Sequence, residues 1–157
     1  EPLAVAKTLK KIVEKENPDL VLMGKQAIDD DSNQTGQILS ALLNWPQGCF
    51  ISSLKIEGNK VLISREIDEG IENLETKLPA VLTCDLRLNT PRFASLPNIM
   101  KAKKKPLDMI DIDTLEIDTS TKIKTLKVIE PPKRKAGVMV NDVKELVEKL
   151  KYEAKVI

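Results

Sequence analysis

Two short apolar segments, DLVLMG at residues 19–24 and AVLTCDL at residues 80–86, constrain the fold of this chain more than any other feature. Neither segment alternates polar and apolar residues, a pattern typical of parallel strands that are buried on both faces of a sheet. The first segment lies between two stretches with helical spacing of apolar residues, LAVAKTLKKIVEKE, which Asn17-Pro18 ends, and TGQILSALLNW, which Pro46-Gln47-Gly48 closes. The succession of helix, buried strand, loop and helix predicts an α/β fold of the doubly wound, Rossmann-like kind.

The middle of the chain follows a different pattern. Residues 49–70 read CFISSLKIEGNKVLISREIDEG, in which Gly58 and Asn59 separate two runs of alternating residues, and this arrangement predicts a β-hairpin. Residues 71–78 add a third strand that ends at Pro79. We therefore expect an antiparallel meander attached to a mainly parallel sheet.

The carboxy-terminal third has weaker periodicity. Residues 89–105 are irregular or helical and rich in lysine, and beyond residue 107 only a final helix near residues 142–152 stands out. We predict that residues 1–106 are part of a nucleotide-binding α/β domain and that residues 107–157 form an extended arm. Because only two segments resemble central parallel strands, where a sheet has about five or six strands in all, we expect the domain to be part of a longer one.

Composition excludes several classes of function. The 157-residue chain has no histidine, which removes the usual general base and the common nucleophile pairs, so hydrolytic chemistry is not expected. Its net charge of +1 favours neither a nucleic-acid partner nor a membrane surface, and it has no apolar run long enough for membrane insertion. Cys49 and Cys84 are too few for a disulfide framework, so we expect a reducing compartment.

The loop GKQAIDDDSNQTGQ at residues 24–37 raises the question of a metal site. Asp29, Asp31 and Asn33 have the 1-3-5 spacing of a calcium-binding loop. The sixth position is then Gln34 instead of the glycine that the sharp turn needs, and the twelfth is Ser40 instead of a bidentate glutamate. We expect no metal here.

The same loop is placed where open α/β sheets bind ligands, between the carboxyl end of a strand and the start of a helix. A helix that begins near Asn33–Thr35 presents unpaired N–H groups to a phosphate, and Gly36 permits close approach. The aspartates fit as acceptors for ribose hydroxyls or adenine N–H groups, or as helix caps. A solvated capping loop explains the same residues, and residue chemistry alone favours it because no Walker or GxGxxG spacing is present.

A second candidate site lies in TPRFASLPNIMKAKKK, residues 90–105. Phe93, Leu96, Ile99 and Met100 form an apolar tip that Pro97 stiffens and that lysines follow. A solvated basic helix end accounts for the lysines, since cations complement the carboxyl end of a helix dipole. An exposed apolar anchor ringed by charge is, alternatively, typical of an interaction site.

Three motifs, GKQAIDDDSNQTGQ, DLRLNTPRFASLPNIMKAKKK and PPKRKAGV, together resemble the electron-transfer flavoprotein beta-subunit family. The resemblance implies an adenine-nucleotide alpha-hydrolase-like domain and a heterodimeric electron carrier without catalytic residues of its own. Such a carrier takes electrons from acyl-CoA and related dehydrogenases of fatty acid beta-oxidation and passes them to a quinone oxidoreductase. FAD is held mainly by the alpha subunit, and the beta subunit binds a structural AMP. The implied location is the mitochondrial matrix, or the cytoplasm of a bacterium.

The resemblance also assigns residues. The motif that contacts AMP corresponds to Gly24, Lys25, Gln26, Ala27, Ile28, Asp29, Asp30, Asp31, Ser32, Asn33, Gln34 and Thr35. The recognition loop that docks dehydrogenases corresponds to residues 89–105, with Leu96 as anchor beside Pro97, Ile99 and Met100. Lys101 and Lys104 match lysines that are methylated in animal members.

The chain departs from the family in one respect, because the family's amino-terminal portion, with further AMP contacts and residues near the flavin, has no counterpart here. We therefore expect residues 1–157 alone to lack much of the sheet and to need the missing part from another chain. Two alternatives stay open. One is a stand-alone adenine-nucleotide-binding module of the same fold, and the other is a paralogous subunit from a nitrogen-fixing or electron-bifurcating system.

Overall fold

The computed structural model describes residues 1–134 and 136–157, which divide into two units, residues 1–122 and residues 123–157. The first unit holds one sheet and most of the helices. Its elements in chain order are α1 (Pro2–Glu16), β1 (Leu20–Gly24), α2 (Thr35–Leu43), β2 (Gln47–Glu57), β3 (Lys60–Ile67), β4 (Gly70–Lys77), β5 (Ala80–Cys84), α3 (Leu96–Ala102) and a 3₁₀ turn (Ile112–Leu115). The predicted α/β class is confirmed.

The five strands form a mixed sheet in the order β1-β5-β2-β3-β4. β5 lies between β1 and β2 and is parallel to both, whereas β2, β3 and β4 form the antiparallel meander that the alternation predicts. The turn between β2 and β3 is built as predicted, since Gly58 has a φ of 60° and Glu57 pairs with Lys60.

Strand β2 belongs to both halves of the sheet, which the sequence did not indicate. Gln47 and Gly48 pair in parallel with β5, and the strand then bulges before it continues against β3. Phe50 has a φ of 60° at this bulge, and its N–H donates to Thr83 Oγ1 at 3.0 Å. The bulge therefore lets one strand join the parallel half to the meander.

The two faces of β5 explain where the core lies. Val81 packs with Ala6 of α1 and Leu39 of α2, while Leu82 packs on the opposite face in a cluster with Ile51. β5 is thus buried on both faces, as predicted. The same prediction was wrong for β1 in the described chain. This strand lies at the edge of the sheet, and Leu22 on one of its faces is 53% exposed.

The predicted end of α1 at Asn17 is confirmed, whereas α2 ends at Asn44, one residue before the predicted Trp45. α1 ends at Asn17, whose φ of 47° is left-handed and whose N–H donates to Val13 O at 2.8 Å. α2 ends at Asn44 in the same conformation, with a φ of 55°. The hydroxyl of Ser40 donates to Trp45 O at 2.7 Å beyond that end. Asparagine tolerates this backbone region better than most residues, which is why both helices stop there.

The second unit contains the predicted final helix. α4 (Val143–Glu148) continues as a π-helix over Lys149–Ala154. Asp142 Oδ1 accepts from the Glu145 N–H at 2.8 Å, and Glu145 Oε2 accepts from the Asn141 N–H at 2.9 Å. This reciprocal cap sets the start of the helix. The division into domains at residue 106 stays a prediction.

Candidate nucleotide-binding site

The candidate site lies at the carboxyl edge of the two neighbouring parallel strands. Gly24 at the end of β1 pairs with Cys84 at the end of β5, and the Lys25 N–H donates to Cys84 O at 3.2 Å. The loops that leave both strands therefore start side by side. This edge is where open α/β sheets bind their ligands.

A cavity of about 220 Å³ opens between β1, the 25–34 loop and the start of α2. Nine of the twelve residues that the resemblance assigns to AMP line it, namely Gly24, Lys25, Gln26, Ala27, Asp30, Ser32, Asn33, Gln34 and Thr35, together with Met23 and Gly36. Ile28, Asp29 and Asp31 do not line the cavity, and Ile28 is almost fully exposed. The loop thus divides into a lining side and a solvent side.

Side chains of the loop determine its shape. Asp30 Oδ1 accepts from the Ser32 N–H at 3.1 Å, and Asp31 accepts from the Gln26 side-chain amide. The Asp31 N–H donates to Ala27 O at 2.9 Å. Asp31 and Asn33 both have left-handed backbone conformations, with φ of 49° and 57°. Because Asp31 is used within the loop, the aspartate run serves chain geometry as well as any ligand.

The start of α2 supplies donors at the cavity. Its N-cap is Gln34, which makes no side-chain capping bond, and its first turn contains no acidic residue. The N–H groups of this turn therefore have no partner within the helix and carry the positive end of its dipole.

Gly36 has a different role from the one that the sequence suggested. A Cβ at Gly36 would lie 2.3 Å from Thr83 Cγ2, so the missing side chain allows α2 to pack against β5. Close approach of helix to strand, as well as any approach of a ligand, depends on this glycine.

Two buried amide oxygens near the helix start have no hydrogen-bond partner among the described residues, Asn33 Oδ1 and Gln37 Oε1. A buried polar atom without a partner is costly, so such atoms call for an explanation. Rotating either amide by half a turn exchanges its oxygen and nitrogen, and each side chain can therefore offer a donor or an acceptor. Of these two residues, Asn33 lines the cavity and Gln37 does not.

Lys25 joins the site to a chain of charged groups that sequence reasoning missed. Its Nζ donates to Asp85 Oδ2 at 2.7 Å, and Asp85 Oδ1 accepts from Arg87 Nε at 2.9 Å and from the Arg87 N–H at 3.1 Å. Arg87 also pairs with Glu66. The signal available in the sequence was the pair of charged residues directly after the buried strand β5.

The ionisation of Asp85 follows from these contacts. Only 4% of its side chain is exposed, yet it stays charged. The hydrogen bond from Lys25, followed by those from Arg87, holds the pKa of this carboxyl well below its usual range. Burial in turn raises the pKa of the Cys84 thiol at the end of β5. The carboxyl edge of the sheet therefore carries a fixed ion pair and a neutral thiol, although Cys84 does not line the cavity.

The second candidate segment forms α3, a seven-residue helix with Pro97 in its first turn and no buried residue. Leu96 is 72% exposed, and Ile99 and Met100 are about half exposed. Lys101 and Lys104 are exposed as well. The apolar tip thus faces solvent in the described chain.

No group of three or more histidine, cysteine, aspartate or glutamate side chains in residues 1–134 and 136–157 is arranged to hold a metal ion. Within the same residues, no helix has both the length and the apolar character needed to cross a membrane.

The residues that form the sheet and the candidate cavity match a known protein family. The family model described as "Electron transfer flavoprotein domain" matches residues 1–115, which include the whole sheet, the candidate cavity and α3. The chain belongs to the electron transfer flavoprotein family. The expected α/β fold and the resemblance from the three motifs are both confirmed by this assignment.

Individual members of the electron transfer flavoprotein family are similar to this chain over nearly its whole length. The chain is 57% identical over 157 residues to the electron transfer flavoprotein subunit beta of Bradyrhizobium diazoefficiens, covering 100% of this chain and 63% of that protein. It is 54% identical to the mitochondrial subunit beta of Arabidopsis thaliana (99% and 63% covered) and 56% identical to subunit beta of Homo sapiens (96% and 59%). The chain therefore spans about three fifths of the length of these relatives.

Proposed function

We propose that this chain is the nucleotide-carrying and partner-docking part of an electron-transfer flavoprotein beta subunit. The protein pairs with an alpha subunit, takes electrons from acyl-CoA and related dehydrogenases, and passes them to a quinone oxidoreductase. It is a carrier and has no catalytic residues of its own. The observation that supports this most directly is the cavity beside α2, which is lined by nine of the twelve residues that the family resemblance assigns to AMP.

The donors around the cavity suit a nucleoside monophosphate. The first-turn N–H groups of α2, the hydroxyl of Thr35 and the ammonium of Lys25 would hold the phosphate. The amide of Asn33 and the carboxylate of Asp30 would contact hydroxyl or amino groups of the nucleoside. When bound, AMP supplies structure to the loop and takes no part in electron transfer.

The size of the cavity limits what these residues hold. Its volume of about 220 Å³ is below the roughly 300–1,000 Å³ of pockets that enclose a whole small ligand. The loop therefore seats the phosphate and an adjoining part of AMP, and the rest of the nucleotide contacts other parts of the protein. FAD is assigned to the alpha subunit, and no residue of this chain is assigned to it.

The exposed apolar tip of α3 supports the docking role. Leu96 would enter a pocket on the dehydrogenase, with Pro97, Ile99 and Met100 around it, while Lys101 and Lys104 are accessible to a methyltransferase. The name of the Arabidopsis relative includes a mitochondrial location. We accordingly place the protein in the mitochondrial matrix, or in the cytoplasm if its source is bacterial.

The nucleotide assignment is tested by Asn33→Gly in the assembled heterodimer. Asn33 has a φ of 57°, which glycine adopts without strain, so the substitution removes the amide with little effect on the loop backbone. AMP affinity, measured by displacement of radiolabelled AMP, should fall about ten-fold, the effect of one lost hydrogen bond to a charged or buried group.

Asn17→Gly is a matched control, because Asn17 has the same left-handed conformation at the end of α1, and it does not line the cavity. This variant should bind AMP as the wild type does. Equal AMP affinity in both variants, or a nucleotide-bound structure with phosphate away from Asn33–Thr35, would remove the assignment.

A further inference from the structure

The cavity has one basic side chain among the described residues that line it, Lys25, and one acidic side chain, Asp30. A nucleotide site that takes several phosphates normally gathers more positive charge than this, from lysine, arginine or a bound divalent cation. The charge available to Lys25 therefore decides how many phosphates the site accepts.

Asp85, which does not line the cavity, neutralises the charge of Lys25. The Lys25 ammonium lies 2.7 Å from Asp85 Oδ2, and the Asp85 side chain is 4% exposed, so solvent screens the pair little on the carboxylate side. The Lys25 side chain is 32% exposed, which leaves its remaining N–H donors free to reach a ligand. Lys25 is thus held at a fixed place with its charge balanced.

The rest of the network adds no positive charge. Arg87 donates to the other oxygen of Asp85 and also pairs with Glu66, so two cations and two anions cancel. With Asp30 on the lining, the surroundings of the cavity are neutral to slightly negative. One phosphate would be held by the N–H donors of α2 and by Lys25, which it would share with Asp85. Further phosphates would meet no uncompensated positive charge in this part of the chain.

We propose that Asp85 is a specificity-determining residue that restricts the cavity to nucleotides with a single phosphate, by neutralising Lys25. The inference rests on the proposed nucleotide site and goes beyond it, since it concerns a residue that does not line the cavity. Asp85 acts through Lys25 and the local field, not by contact with the nucleotide.

The test is displacement of radiolabelled AMP from the assembled heterodimer by AMP, ADP, ATP and adenosine, with wild type and Asp85→Asn. Removal of the buried negative charge should improve the affinity for ATP relative to AMP about ten-fold, as expected for one unit charge a few ångströms away. Adenosine, which has no phosphate, should bind both proteins with the same affinity. A purely structural role would weaken all four ligands together.

Two further variants keep the proposal testable if Asp85→Asn folds poorly. Arg87→Gln leaves the negative charge of Asp85 in place and removes a compensating cation, so it should lower the ATP-to-AMP affinity ratio. This shift should be smaller than the rise in Asp85→Asn, because the Arg87 side chain is 52% exposed. Glu66→Gln removes the same charge as Asp85→Asn but from the exposed far end of the network, and should change the ratio by less than about two-fold because solvent screens it.

The outcomes separate the two proposals. If wild type binds AMP, and Asp85→Asn and Arg87→Gln both keep the wild-type ATP-to-AMP affinity ratio, the role of Asp85 is refuted and the nucleotide site stands. If wild type binds neither AMP nor adenosine, the nucleotide site itself is wrong and this inference fails with it. Opposite shifts of the ratio in the two variants would support the assignment of Asp85.

Discussion

Asp85 makes the stability of the carboxyl edge of the sheet depend on pH. Its carboxyl is nearly inaccessible to solvent and accepts hydrogen bonds from Lys25 and Arg87, which hold its pKa well below the value of about 3.9 in an unfolded chain. A group whose folded pKa is depressed stabilises the fold above the unfolded pKa, and this stabilisation is lost as pH falls towards the folded pKa. The ion-pair network should therefore weaken only in acid.

We predict that the difference in unfolding free energy between wild type and Asp85→Asn stays constant from about pH 7 to about pH 5 and shrinks below about pH 4. The reason is that below this pH the Asp85 carboxylate of wild type takes up a proton when the chain unfolds. The asparagine variant has no such group at residue 85, so its unfolding takes up no proton there. Urea unfolding of both proteins across this range measures the difference. A difference that stayed constant down to about pH 2.5 would contradict the depressed pKa.

Gly36 leads to a second prediction at the residue scale. A Cβ at this position would lie 2.3 Å from Thr83 Cγ2, so Gly36→Ala should force α2 away from β5 and cost about 1–3 kcal/mol. Thr83→Ser removes the clashing methyl group but keeps the hydroxyl that accepts from the Phe50 N–H. The double variant should recover part of the loss, as measured by thermal or urea unfolding.

Gly24→Ala is the control for this prediction. A Cβ at Gly24 would meet no described atom within 4 Å, and its backbone is not left-handed. Its unfolding free energy should change little. If Gly36→Ala were equally destabilising with threonine and with serine at residue 83, the steric explanation would be wrong.

At the scale of elements, α3 differs from the other helices of the first unit because it buries no residue. Helices α1 and α2 contribute Ala6 and Leu39 to the core, whereas every residue of α3 is exposed. Such a helix adds little to the stability of the described chain. Its apolar residues are available for contact with another protein.

We predict that Leu96→Ala, made in the assembled heterodimer, slows the reduction of the flavin by an acyl-CoA dehydrogenase. Because Leu96 is 72% exposed, unfolding free energy should change by no more than about 0.5 kcal/mol. Stopped-flow reduction and thermal melting of the same samples measure the two effects. Flavin and AMP content should be unchanged.

Leu107→Ala provides a matched control, since Leu107 is exposed like Leu96 (84% against 72%) and lies just beyond α3. It should transfer electrons at the wild-type rate. An unimpaired Leu96→Ala protein would remove the docking role. A slowed one that had also lost several degrees of thermal stability would instead indicate a packing role for Leu96.

At the scale of the whole molecule, the order of the strands decides where the chain is most stable. β5 is paired on both edges and buried on both faces, while β1 and β4 are the edge strands of the sheet. Amide hydrogens of a doubly paired, buried strand exchange only when a large part of the fold opens. Those of edge strands exchange through smaller openings.

We predict that amide hydrogen exchange of residues 80–84 is the slowest in the chain and that residues 70–77 exchange at least about ten-fold faster. Mass spectrometry of peptides from the assembled protein gives both rates in one experiment, so differences in global stability cancel. Equal protection of the two strands would show that the meander and the parallel half open as one unit.

Much of the secondary structure follows from local signals in the sequence. Helical spacing predicted α1 and α2, and Asn17 and the Gly58 turn set boundaries that the structure confirms, because each depends on backbone preferences of a few neighbouring residues. The motif residues at 24–35 lie together because they are consecutive in the chain. Their placement at the carboxyl end of a strand was likewise readable from the order of elements.

What only the tertiary structure decided depends on residues far apart in the chain. The parallel pairing of β2 with β5, the exposure of Leu22 on an edge strand, and the contact of Lys25 with Asp85 all require the strand order, which no local pattern encodes. Lys25 and Asp85 are separated by 60 residues and meet because β1 and β5 end at the same register. Local preferences determine which segments become strands, whereas burial of both faces of β5 determines which strands become neighbours.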